Sequence, residues 1–369
     1  MEDTFVNASL EELFTKSKSR LAALATPLTL QRIERLCQGY SLSSSSSLVF
    51  ECPVDDDVNR LDFSLEVRED EGIDALMKRS YRYDTEEWTR IRSFCQRYLN
   101  DDSPLRAKIA RTWLEYDTGS DADLAIPSLF VEFDNSGAHR QTFSDEQAFE
   151  ALRQSASILN PSISKHTMKL LKKCGLQLPE GAGVLGMGVM LSRPNQSLRF
   201  CVNHMPLSEL KRYLKQIKWP GRPRAILDTL PQLEGYEPTC RLAFDVGETV
   251  GGQIGVEIVA QPENEFREQS DWRRWLDVLV EHQLCTPGKR DILSNWLGES
   301  TYTAADSYSK DRVFRDISHF KFTFDANDNH RTKAYLHASY LNGRSLQGWF
   351  LHQFENLKTG APPPSYPAN

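Results

Sequence analysis

The sequence lacks most of the features that would tie a chain to one chemistry. Its seven cysteines, at positions 37, 52, 95, 174, 201, 240 and 285, are an odd number and widely spaced, with no C-x-x-C pair and no histidine at metal-ligand spacing. Neither a disulfide framework nor a metal site is expected, and the thiols read as reduced, mostly core residues of a cytoplasmic protein. No apolar run reaches the length of a membrane-spanning helix. The acidic start, Met1-Glu2-Asp3-Thr4, has no apolar stretch behind it, so no secretory signal or transit peptide is expected. Positive charge is not in excess either: 44 Lys and Arg stand against 51 Asp and Glu, a net charge of -7. That balance argues against nucleic acid as the main partner. Neither G-x-S-x-G nor H-E-x-x-H occurs. Gly181-Ala-Gly183-Val-Leu-Gly186 fits G-x-G-x-x-G but runs into a strand and opens no helix, which excludes a dinucleotide loop.

What is present points to a large folded body. Of the 369 residues, 40% are apolar, 10% aromatic and 26% charged, enough apolar side chain for a sizeable core and too much for a disordered chain. Hydrophobic periodicity shows a recurring unit. Residues 48–52 and 61–67 alternate apolar and polar side chains around the turn Asp55-Asp56-Asp57, the pattern of a β-hairpin. Helical spacing follows at 85–99 and 105–110, with Asp102 and Ser103 as cap candidates. The order repeats with strands at 113–116 and 128–133 and helices at 144–158 and 164–174. Strands at 185–191 and 198–202 precede helices at 207–217 and 225–230. A fourth pair, 240–244 and 254–259, precedes helices at 271–282 and 289–297, and a fifth, 320–324 and 332–338, turns through 325–329.

Five hairpins about 55–80 residues apart supply ten antiparallel strands in sequence. A sheet that long tends to curl, and closure removes both of its edges. The predicted fold class is α+β: a ten-stranded antiparallel β-barrel of repeated helix-strand-strand-helix units with the helices outside. Residues 1–355 form one domain and 356–369 a flexible Pro-rich tail. An open α+β sandwich is the competing arrangement.

Alternation sorts the side chains between helices and lumen. In the fifth hairpin Phe320, Phe322 and Phe324 share the outer face and leave His319, Lys321 and Thr323 inward; Ala334 and Leu336 outward leave Arg331, Lys333, Tyr335 and His337 inward. By the same rule Trp113, Glu115, Phe130, Glu132, Arg199, Cys201, Asn203, Arg241 and Asp245 face inward, and Gly186 and Gly188 would leave space there. The lumen is expected to have a cationic half and an acidic, aromatic half. Basic side chains on adjacent strands repel unless an anion joins them. A phosphate or diphosphate would supply that anion, with Arg as bidentate partner and Lys as point charge. For any one residue, a solvated strand face is the simpler alternative.

The repeat from about Leu48 to Tyr340, with Lys333-Ala-Tyr335, His319-Phe-Lys321, Arg331-Thr-Lys333 and Trp113-Leu-Glu115-Tyr116 on inward faces, resembles the aromatic prenyltransferases of the ABBA type (PT barrel), most of all the dimethylallyltryptophan synthase branch. The resemblance implies a prenyltransferase that moves an isoprenyl group from an allylic diphosphate to an aromatic, indole-like or peptide side-chain acceptor. On that reading Glu115 is the catalytic carboxylate. Arg199, Arg241, Lys321, Arg331, Lys333 and Tyr335 hold the diphosphate, while Trp113, Phe130, Glu132, Met190, His319 and His337 line the acceptor side. The aspartate-rich D-D-x-x-D of metal-dependent prenyl enzymes is absent, so no cofactor is required and Mg2+ is expected to be optional. The third unit, Gly188-Val-Met190, departs from the family's Lys-x-Tyr, and the fourth offers only Arg241. The stretch from Trp275 to Trp296, with Ser318-His-Phe-Lys321 and Lys333-Ala-Tyr-Leu336, is also similar to uncharacterised bacterial proteins encoded near peptide-modifying enzymes. A non-catalytic barrel that binds an anionic ligand or peptide as an accessory protein is the alternative, with Glu115 in a salt bridge to Arg111 or Arg199.

Overall fold

The structure is a computed structural model that describes residues 9–38, 40, 47–118, 126–133, 143, 145–193, 197–230, 239–259, 269–303 and 310–341. The expected tail at 356–369 and most of the serine run before the first strand lie outside the described residues. In chain order the helices are α1 (Leu10–Leu21), α2 (Pro27–Cys37), α3 (Glu69–Ser80), α4 (Glu86–Tyr98), α5 (Pro104–Lys108), α6 (Glu146–Leu159), α7 (Lys165–Leu176), α8 (Leu207–Gln216), α9 (Pro223–Thr229), α10 (Gln269–Glu281) and α11 (Pro287–Trp296). The strands are β1 (Ser47–Pro53), β2 (Asp62–Arg68), β3 (Ile109–Tyr116), β4 (Ser128–Phe133), β5 (Gly183–Val189), β6 (Leu198–Pro206), β7 (Thr239–Val246), β8 (Val250–Val259), β9 (Gly298–Thr303), β10 (Lys310–Phe324) and β11 (His330–Leu341).

Most helices start where a short polar side chain takes up an otherwise unpaired backbone N–H. Thr85 accepts from Trp88, Ser103 from Leu105, Ser164 from Thr167 and Thr286 from Lys289. Pro27, Pro104, Pro223 and Pro287 sit in the first turn, where a missing N–H costs nothing. Helix α3 goes unseen in the sequence because it follows β2 directly, and Arg68 at its start makes no side-chain cap.

All strand pairings are antiparallel. β1 to β8 follow one another, β8 pairs with β10, β10 with β11, and β11 returns to β1. Ten strands therefore close into a barrel. The eleventh, β9, lies outside that ring: it pairs with residues 310–315 of β10, while β8 pairs with residues 319–324 of the same strand. Its sequence, Gly-Glu-Ser-Thr-Tyr-Thr, has no apolar alternation to announce it.

Outer faces of the strands pack under the helices through aromatic side chains. Trp275 of α10 stacks on Phe320 of β10 at 5.5 Å, Trp296 of α11 meets Phe50 of β1 edge-on at 5.9 Å, and Tyr213 of α8 lies 6.4 Å from Phe244 of β7. Each such side chain buries roughly 150–250 Å², which makes the barrel wall and not its interior the apolar core. Among the described residues, no helix is long and apolar enough to cross a membrane. All seven cysteines are free and six are buried.

The glycines of the third hairpin correct the sequence reading, since neither leaves space. A Cβ added to Gly188 would stand 2.2 Å from the Phe130 ring, and one on Gly186 would stand 1.9 Å from the Val131 carbonyl oxygen. Small residues here let β4 and its phenylalanine close in. Gly186→Ala is expected to cost about 1–3 kcal/mol in urea unfolding, whereas Gly252→Ala, whose Cβ meets nothing closer than 3.6 Å, is expected to cost nothing measurable.

Candidate functional site

A β-bulge aims the site. In β10, Ile317 pairs with Leu336 and His319 with Tyr335, so Ser318 is the extra residue. Before it, Val313, Arg315 and Ile317 occupy the outer face; after it, the outer face belongs to Phe320, Phe322 and Phe324, and His319 and Lys321 turn into the lumen. The Trp296 indole N–H donates to the Asp316 carbonyl at 2.9 Å and holds the backbone beside this kink.

Lys321 lands directly opposite Lys333 of β11. The two do not face each other uncompensated. Lys321 Nζ is 2.9 Å from Glu257 of β8, and Lys333 is paired with Glu51 of β1. Tyr335 donates its hydroxyl to the same Glu51 and stacks on His319 at 4.0 Å, and His319 Nε2 is 3.9 Å from Glu257. Burial raises the cost of charging Glu257, yet Lys321, His319 and Arg241 together outweigh it and lower its pKa to about 2. For Glu51 too, burial is overcome by Lys333 and Lys321, and its pKa is lowered. Burial is the main effect on both histidines, holding His319 and His337 at about 4 and therefore neutral at pH 7.

Glu115 behaves in the opposite way. It projects from β3 between two serines, Ser64 of β2 and Ser128 of β4, and no described residue forms a salt bridge or hydrogen bond with its carboxyl. The alternative ion pairs are taken: Arg111 lies 3.5 Å from Glu66 and Arg199 2.5 Å from Asp245. Burial and then the Glu51 charge raise its pKa to about 7, against the pull of Lys321 and Arg199. Charges on β1, β6, β8 and β10 thus act on one carboxyl, and Lys321, Lys333, Arg199 and Arg241 all bear on the lumen carboxylates.

Several details differ from the expected lumen. The charges do not separate into a cationic and an acidic half, because Glu51, Glu257 and Asp245 sit among the cations. Arg331 is not in the lumen proper. It lies one residue from the turn at the start of β11, 67% exposed, 3.7 Å from Asp55 and 3.5 Å from Asp56. Arg241 donates to Asn203 at 3.3 Å and stands opposite Glu257. Trp113 and Phe130 are paired neighbours on β3 and β4, with Glu132 two residues on, its pKa raised by burial and eased by Arg241. Met190 is buried just past β5, and His337 is partnered in register by Asp316 and Val49. Glu51 and Glu257 were not singled out from the sequence, although alternation marks both: Phe50 and Cys52 point outward around one, Val256 and Ile258 around the other. Among the described residues, no group of three or more His, Cys, Asp or Glu is placed to hold a metal ion.

The opposed shifts have opposed consequences for stability. Glu115, raised in the fold, contributes stability that is complete below pH 4.5 and is lost as pH rises through about 7; Glu257, lowered, contributes above pH 4.5 and loses it on acidification. Glu115→Gln is expected to leave stability unchanged at pH 4.5 and to raise it at pH 8, by on the order of 3 kcal/mol. Chemical denaturation at both pH values reads this, and an equal difference at the two would contradict a strained, unpaired carboxyl.

No protein-family model matches the sequence, and no curated protein matches it. Solved structures do. The chain is similar to 5-dimethylallyltryptophan synthase from Streptomyces coelicolor, with 10% identity, coverage of 89% of this chain and 97% of that one, and a TM-score of 0.56. It is also similar to 6-dimethylallyltryptophan synthase from Micromonospora olivasterospora, solved in complex with DMASPP and Trp, with 11% identity, coverage of 90% and 97%, and a TM-score of 0.55. At such identities the likeness is one of architecture, and by its closed ten-stranded ring and its outer helices the chain has the PT-barrel fold of the ABBA prenyltransferases.

Proposed function

We propose that this barrel is a cytoplasmic transferase that moves an isoprenyl group from an allylic diphosphate to an electron-rich aromatic acceptor, either a free indole-like molecule or a peptide side chain. The observation that carries the reading is Glu115: an inward carboxyl without a counter-ion among the described residues, poised at about 7 beside Lys321 and Arg199. A carboxylate with a purely structural role is normally paired, and an acid-base group is tuned toward the working pH. The relative from Micromonospora olivasterospora was solved with DMASPP and Trp, and this fold can therefore hold a donor and an aromatic acceptor together.

The chemistry follows from the placed charges. Lys321, Lys333, Arg199, Arg241 and Tyr335 would receive the diphosphate as the allylic C–O bond breaks and both electrons leave with oxygen. Trp113, Phe130 and Tyr335 shield the cation from water. The acceptor ring supplies the electron pair for the new bond and then loses a proton to regain aromaticity; ionised Glu115 takes that proton or accepts the acceptor's N–H. Four fixed cations do the work a metal would otherwise do at the leaving group, so Mg2+ is dispensable. Arg331, on the rim, is left out of this set.

The pairing of Lys321, Lys333 and Arg199 with the chain's own carboxylates favours a second reading, a silent barrel that binds a peptide for a modifying enzyme. Mass spectrometry with dimethylallyl, geranyl and farnesyl diphosphates against tryptophan and a small peptide panel separates the two. A mass gain matching one donor is expected, undiminished in EDTA and reduced about 100-fold or more in Glu115→Ala. Turnover should rise with pH through about 7, as the base ionises. Peptide binding with no mass gain from any donor would favour the silent barrel.

A further inference from the structure

Four adjacent strands, β8, β10, β11 and β1, carry a chain of charges that runs Glu257, Lys321, Lys333, Glu51; the first three are in register, and Glu51, opposite Tyr335, reaches Lys333 diagonally. Lys321 and Lys333 are in direct register, where two ammonium groups repel, and each draws a carboxylate from its far side. Glu257 meets Lys321 at 2.9 Å and the His319 ring nitrogen at 3.9 Å; Glu51 meets Lys333 and the Tyr335 hydroxyl. Each carboxylate thus engages one ammonium; Glu51 also accepts from the Tyr335 hydroxyl, whereas the His319 ring lies beyond hydrogen-bond range of Glu257, and the charges of the row balance.

We propose that Glu51 and Glu257 are internal counter-ions standing where the two phosphoryl groups of a diphosphate would stand, so that the donor enters by exchange with them and they set its affinity. The inference rests on the diphosphate reading above. Each phosphoryl group would inherit one ammonium, with the Tyr335 hydroxyl at one and the His319 ring beside the other, which selects a ligand with two anionic centres over one with a single centre. The exchange starts at the Lys333 end, where the lysine side chain is 34% exposed against 13% for Lys321. A carboxylate displaced from its lysine remains in the lumen. Glu257 then faces His319 of β10, Arg241 of β7 and Cys201 of β6, while Glu51 faces Tyr335 of β11, Asp62 of β2 and Glu115 of β3, with Lys321 of β10 and Arg60, which pairs with Asp62, as the cations within its field. With two of its neighbours acidic, Glu51 is the one that takes up a proton when the anion arrives.

Isothermal titration of the full chain with inorganic pyrophosphate tests the exchange. At pH 7.5, Glu51→Gln and Glu257→Gln are each expected to bind about tenfold more tightly than wild type, and the double variant Lys321→Met/Lys333→Met is expected to lose binding. Glutamine variants that bind equally or more weakly would overturn the inference and leave the transferase reading standing, the glutamates then serving only to position the lysines. If neither wild type nor the glutamine variants bind pyrophosphate, the diphosphate reading fails and takes the inference with it. Sulfate, whose charge is constant from pH 5.5 to 8.5, gives a measurement on the unaltered chain. Wild-type affinity should rise as pH falls, and the rise should shrink in Glu51→Gln; a flat wild-type profile would overturn the exchange even if a variant fails to fold.

Discussion

The pairing of β11 with both β10 and β1 is the constraint on which the rest of the molecule depends. It joins the last hairpin to the first and turns a sheet with two edges into a ring with none. Once the ring is closed, every strand has an outer face that must be apolar to receive helices and an inner face that only side chains or a ligand can fill. The aromatic contacts of Trp275 with Phe320 and Trp296 with Phe50 are the outer half of that arrangement. The charged row from Glu257 to Glu51 spans the same seam on the inside, so the strands that close the barrel also carry its main cluster of charge.

Inside the ring, one residue type takes two ionisation states according to its neighbours. Glu257 and Glu115 are both lumen glutamates on which desolvation is the largest single effect. Glu257 has a lysine at 2.9 Å and a histidine beyond it and stays ionised; Glu115 has two serines across the strands and another carboxylate nearby, and its pKa climbs to about 7. Environments that push two carboxyls apart in this way are how a single fold divides charge compensation from proton transfer. The lumen can thus be electrically quiet around its lysines and chemically responsive at β3.

Much of this was legible in the sequence because period-two alternation is a direct consequence of strand geometry. It placed Lys321, Lys333, Tyr335 and Glu115 on inner faces, and the recurrence of hairpin and helices gave the five pairs that form the ring. What it missed has physical causes. Strand β9 is polar throughout and exists only because β10 extends beyond β8. Helix α3 begins without a cap or turn. The bulge at Ser318 shifts the phase of β10, so alternation counted from Val313 would have sent Lys321 outward; counting from the phenylalanines happened to start on the correct side of it. Partnership across strands is harder still. Glu51 and Lys333 are 282 residues apart, and only closure of the ring makes them neighbours. The glycines failed for a similar reason: a missing side chain leaves a void only if the next strand does not fill it, and Phe130 does.

The central claim is that the lysines of the seam form an anion site presently held by the protein's own carboxylates. A crystal structure of the chain with a non-hydrolysable allylic diphosphate analogue tests it most directly. Density is expected for two phosphoryl groups bridging Lys321 and Lys333, with Glu51 and Glu257 turned away and the isoprenyl chain directed toward Glu115. A structure in which the Glu257, Lys321, Lys333 and Glu51 row stays intact while the analogue binds elsewhere would contradict it.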